Sequence, residues 1–161
     1  MVSPVLTPTR QFFPPGFNAA ASRNVVTGAK TMVNGDVIFN IIGDIEIVSL
    51  VSECETSGTS VASTIQYKSN PTVGAAATFT GTSTGLGSAV AGSSLSVLSG
   101  QTTAPSLVIS GANNDSTYPL AAWCPEGTIS LVVGVGSTTG TWRHYLRYNP
   151  LTDGSYVTAN Q

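Results

Sequence analysis

The stretch Glu126–Ala159, EGTISLVVGVGSTTGTWRHYLRYNPLTDGSYVTA, narrows the possible folds of this chain more than any other. It predicts two strands, Thr128–Val135 and Thr141–Tyr148, joined as a hairpin by a Gly/Ser/Thr turn. A third, Ser155–Ala159, follows the turn Pro150-Leu151-Thr152-Asp153-Gly154. The first strand is nearly all apolar and β-branched, which suits a strand covered on both faces. The second alternates, with Trp142, His144, Leu146 and Tyr148 on one face and Arg143, Tyr145 and Arg147 on the other.

The remainder of the chain is consistent with this β pattern. Val37–Cys54 is the longest apolar stretch, interrupted by Gly43-Asp44. That dipeptide suits a two-residue hairpin pairing Ile38–Ile42 with Ile45–Ser49, or else a bulge in one long bent strand. Apolar residues fall on both faces around Ile45–Val51, so the segment is expected to be central. Short strands are also expected within Asn24–Val33, at Thr64–Lys68 with Ile65 and Tyr67 on one side, at Ser106–Ser110, and in Thr117–Cys124. Residues 71–100 are rich in Gly, Ala, Ser and Thr and show no fixed repeat. Scattered apolar anchors there predict weak strands and long loops. No helical stripe of useful length occurs. The expected fold is all-β, a single β-sandwich or jelly-roll-like barrel of about nine or ten short strands.

The N-terminal segment, residues 1–23, stands apart from the β-domain at 24–161. It holds Pro4, Pro8, Pro14 and Pro15 with Phe12, Phe13 and Phe17 among them, and it predicts an extended arm. Three phenylalanines do not suit a solvated tail. They imply that the arm packs on its own domain or reaches onto a neighbouring subunit. Arg10, Phe12, Phe13 and Phe17, with Arg143 and Arg147, are the candidate subunit or partner contacts.

Composition limits the function classes. Charged residues make up 9% of the chain and the net charge is −2, against roughly a quarter charged in an ordinary soluble domain. There is no basic field for nucleic acid and no apolar run of the roughly 20 residues that span a bilayer. The first residues lack the charged start and continuous apolar core of a secretory signal, which predicts a protein made and kept in the cytosol or released by lysis. Cys54 and Cys124 are the only cysteines. Their separation gives no metal spacing, and buried free thiols are expected, with a disulfide formed after release as the alternative.

Candidate chemistry is sparse. A hydrolase triad would need His144, the only histidine, with one of many serines and Asp153, but no serine sits in a G-x-S-x-G elbow. An interior position beside Trp142 and Leu146 explains His144 better. Asp44 with Glu46, and Glu53 with Glu55, read as solvated strand ends rather than acid–base or Ca²⁺ pairs. Gly134–Gly140 lacks phosphate-loop spacing and a following Lys. Arg143 and Arg147 around Tyr145 make a poor electrostatic funnel on an acidic chain and better suit a ladder facing solvent or a partner. No catalytic, cofactor-binding or metal-ligating residue is therefore expected.

The run Tyr145–Ala159, with its aromatic-Leu-x-Tyr strand, Pro-Leu-x-x-Gly turn and Val-x-Ala strand, resembles the ending of small virion proteins of tailed bacteriophages. Pro125-Glu126-Gly127-Thr128-Ile129 resembles the Pro-x-Gly-x-Ile that precedes that ending. Gly35-Asp36-Val37-Ile38 and Ile42-Gly43-Asp44-Ile45 resemble their opening strands. The likeness covers the first β segment and about the last forty residues, and His144 stands where that pattern would have a tryptophan. The resemblance implies a capsid decoration (cement) protein or other minor head component: a homotrimer of its own copies, seated on the major capsid protein at the outer capsid surface and assembled in the host cytoplasm. A tail, fibre or adhesin-type module binding receptor or glycan through the Ser/Thr-rich loops at 80–104 is the alternative.

Overall fold

A computed structural model of the chain describes residues 22–58, 63–83, 85–87, 89–97, 122–134 and 140–161, and the backbone alone of 106–108. Among them lie twelve strands and no helix. They are β1 (Arg23–Val26), β2 (Lys30–Thr31), β3 (Val37–Ile42), β4 (Ile45–Thr56), β5 (Ile65–Pro71), β6 (Ala77–Thr78), β7 (Ser94–Ser96), β8 (Ser106–Val108), β9 (Ala122–Cys124), β10 (Gly127–Val133), β11 (Thr141–Pro150) and β12 (Tyr156–Ala159). One sheet has the order β1-β11-β4-β7-β8, with β2 also on β11 and β9 also on β4; the other runs β12-β3-β10-β5-β6. Every pairing is antiparallel, and the inner faces of the two sheets share one core. The all-β sandwich expected from the sequence is the fold of this chain.

The strands fall where the apolar patterns put them, but the turns lead elsewhere. β3 and β4 belong to different sheets, so Gly43-Asp44 is neither a hairpin turn nor a bulge. Ile42 pairs with Tyr156, and Ile45 with Pro150 and Cys124. The dipeptide is an arch that carries the chain across the core. The segment around 128–148 behaves the same way: β10 lies in the five-stranded sheet and β11 in the seven-stranded one. They are not a hairpin. The β11–β12 turn also crosses between sheets.

Two of these arches interlock at one end of the sandwich. Gly43 has φ +69°, and a Cβ there would lie 2.9 Å from Thr152 Oγ1 and against Ser155 Oγ. The Asp44 amide donates to Thr152 Oγ1, and the Leu151 amide to the Asp44 carbonyl (3.2 and 2.9 Å). Glycine's open left-handed region and missing side chain let the two corners meet.

β4 is central, as its apolar residues on both faces imply. The reason is a bulge. Ser49 pairs with Arg147 and Ile47 with Tyr148, leaving Val48 unpaired. The extra residue flips the side-chain parity. Ile45 and Ile47 therefore point inward on one side of it, and Leu50, Ser52 and Cys54 on the other. β11 keeps its alternation: Trp142, His144, Leu146 and Tyr148 are buried. Tyr148 also ties the sheets together, its hydroxyl accepting from the Val157 amide of β12 (3.1 Å).

Candidate functional site

His144 lies in the middle of this core. Its Nδ1 is 2.5 Å from Ser52 Oγ, which is 2.6 Å from the Tyr67 hydroxyl. The three residues come from β11, β4 and β5, so the chain of contacts bridges the sheets, and none exposes surface. Proton directions follow from counting donors. If Tyr67 donates to Ser52 and Ser52 to Nδ1, both hydroxyl protons are used and Nε2 carries the ring proton. The opposite direction would strand the Tyr67 proton as well. Nε2 has no partner in either case. Burial, and secondarily the Lys30 charge, holds the imidazole neutral, with its pKa lowered to about 3. Burial likewise pushes the Tyr67 phenol up, against the Ser52 hydrogen bond. The Ser–His pair is enclosed, and Asp153 sits in the exposed turn beyond the end of β11, about 20 Å along the strand from His144. The structure does not bring the three members of a triad together.

Nor does it bring the cysteines together. Cys124 faces Ile45 at one end of β4, and Cys54 lies nine positions further along the same strand. That rise is about 30 Å, beyond any disulfide. Both are buried free thiols, and burial is the main cause raising both pKa values. Such thiols are poor nucleophiles.

The candidate contact residues divide. Arg10, Phe12, Phe13 and Phe17 lie outside the described residues. Arg143 and Arg147 lie on the outer face of β11, as the alternation implies. Arg143 Nη2 is 2.6 Å from Glu55 Oε1, while its Nε is buried without a partner. Tyr145 donates to Glu53 Oε2 (2.9 Å). Glu53 and Glu55 are thus cross-strand partners on a central strand, not solvated strand ends. Arg147 is exposed.

The clearest open site lies elsewhere. Ala122 and Cys124 point inward from β9, which forces Trp123 outward, where it is 63% exposed. It borders an open hollow of about 440 Å³ between β9 of one sheet and β5–β6 of the other, lined by Pro71, Val73, Ala77, Phe79, Trp123 and Pro125 among others. Val73 is 88% exposed. A second hollow of about 300 Å³ continues past Val73 and Pro125 to Thr72, Asp44 and Glu126.

The walls of this site are fixed. The Thr72 amide donates to the Glu126 carbonyl (2.8 Å), the Phe79 amide to the Tyr67 carbonyl (3.0 Å), and the Phe79 ring stacks on Tyr67. Among the described residues β9 pairs only with β4, and β6 only with β5. A preformed aromatic hollow beside unpaired strand edges suits burial against another polypeptide. Sequence reasoning passed over Trp123. Its signal was the Ala-Trp-Cys alternation, which sends the tryptophan outward once the thiol is placed inside.

No protein-family model, no curated protein and no solved structure matches this chain.

Proposed function

We propose that this chain is a non-enzymatic structural protein of a virion: a decoration (cement) protein of a tailed bacteriophage. In this reading it forms a homotrimer, binds the major capsid protein at the outer capsid surface and stabilises the head by bridging capsomers. The observation that carries the reading is the rigid, exposed apolar hollow around Trp123, which fits a protein surface better than a reacting small molecule. The bacteriophage-like ending at Tyr145–Ala159 and the low surface charge support it.

A second reading, a tail or fibre module that binds glycan, draws on a polar hollow of about 500 Å³ on the outer face of the five-stranded sheet. Lys68, Asn70, Thr128 and Ser130 line it, but Asn70 already donates to Thr128 and Ser130. No aromatic side chain lines it for a sugar to stack on.

Purified protein added to capsids that lack it tests the proposal. Saturable co-sedimentation, and a higher temperature for capsid disruption, are expected. Protein that stays in the supernatant at micromolar concentration would reject the decoration role.

A further inference from the structure

Resting on the trimeric reading above, we infer that the Trp123 hollow is filled by the N-terminal arm of a second copy of this chain. Phe12, Phe13 and Phe17 supply the apolar contact and Arg10 the charge.

The point where the described chain begins supports this assignment. Ser22 precedes Arg23, which pairs with Tyr148, and Ser22 Oγ donates to Asn149 Oδ1 (2.7 Å). Asn149 pairs with Glu46, and Glu46 with Trp123. Ser22, Asn149, Glu46 and Trp123 therefore form one row across the outer face of the seven-stranded sheet. The arm enters at the β1 edge and the hollow opens at the β9 edge, three inter-strand steps or about 14 Å away.

That placement favours a neighbour over the same chain. To reach its own hollow the arm would have to lie over Asn149 and Glu46, which are hydrogen-bonded to each other (2.8 Å). Ala19–Ala21 would cover these polar groups and offer them no side-chain partner, at a desolvation cost. Between copies, the β1 edge of one subunit meets the β9 edge of the next. A contact that joins opposite edges is heterologous, and three such contacts close into a ring. Reach is sufficient: an extended chain places Phe17 about 17 Å, and Phe12 about 34 Å, from Ser22.

The chemistry matches as well. Arg10 is the one charged side chain in residues 1–21. None of the residues lining the two hollows is basic, and Asp44 and Glu126 stand at the far end, with Glu46 facing Trp123. An aromatic, proline-stiffened segment with a single cation suits an apolar slot that ends in carboxylates.

Tryptophan fluorescence with acrylamide tests the contact, because Trp142 is 2% exposed and Trp123 alone is open to the quencher. The full chain is expected to sediment as a trimer with Trp123 shielded. Deleting residues 2–17, or replacing Phe12, Phe13 and Phe17 together with Ser, should give monomers with unchanged circular dichroism and a quenching constant several-fold higher. Dilution of the full chain should expose Trp123 in step with dissociation. Equal quenching of the full and shortened chains would overturn the inference. So would shielding that persists in the monomer, since the same chain's arm would then fill the hollow, or a trimer that keeps Trp123 covered without the arm. Trp123 shielded only on capsids would overturn it too. These outcomes concern the isolated protein, so they leave the capsid-binding experiment to judge the decoration role separately.

Discussion

Acidification from pH 7 to pH 4 is expected to lower the unfolding free energy by about 3 kcal/mol through His144 alone. The ring is neutral in the folded core, with a pKa of about 3 against an ordinary 6.5. Between these values the unfolded chain binds a proton that the folded chain cannot. This contribution to stability is therefore fully present above about pH 6.5 and is lost progressively as pH falls towards 3. Urea unfolding at pH 7, 5.5 and 4 measures the slope. His144→Phe keeps a ring in the site, leaves Ser52 free to bond Tyr67, and should flatten the slope over that range. A variant with the wild-type slope would show that His144 is not the group being titrated.

Replacing Gly127 with alanine is expected to cost about 3 kcal/mol or more. Gly127 opens β10, the central strand of its sheet, and lies between Ile41 and Pro71. Its φ is +152°, and a Cβ would strike the Asn70 carbonyl oxygen and come within 2.7 Å of Pro71 Cα. Backbone on a paired strand cannot yield as a flexible side chain can. Gly154 is the control, with φ +81° but nothing within 4 Å of an added Cβ. Gly154→Ala should cost only the left-handed conformation, about 1 kcal/mol. Denaturant midpoints for the two variants decide the point. Equal costs would contradict the close approach of β5 to β10.

The strands were legible because burial imposes period two on them wherever one face is covered. Trp142, His144, Leu146 and Tyr148 could be assigned to the core, and the thiols to buried positions, from that pattern alone. The turns were not legible in the same way. Gly43-Asp44 has the composition of a tight hairpin, but a hairpin and an inter-sheet arch need the same thing locally: a residue at positive φ between two apolar runs. What separates them is long-range, namely that Ile42 finds Tyr156 and Ile45 finds Pro150. Val48 shows a second limit. A bulge depends on the partner strand's register, so Ile45–Val51 read as apolar on both faces when one face changes hand within it. Trp123 was obscured for a third reason: a three-residue strand is too short to declare its period.

The candidate contacts in the arm rest on composition and those on β11 on alternation, and only the second are among the described residues. The hollow beside Trp123 was beyond sequence reasoning, because its walls come from β5, β6 and β9 and meet only when the two sheets pack.

A density map of the assembled particle tests the proposed role most directly. It should show this sandwich on the outer capsid surface, in rings of three, with each Trp123 hollow turned toward the next copy. Density for the chain at the tail or a fibre, or a complete particle without the chain, would contradict it.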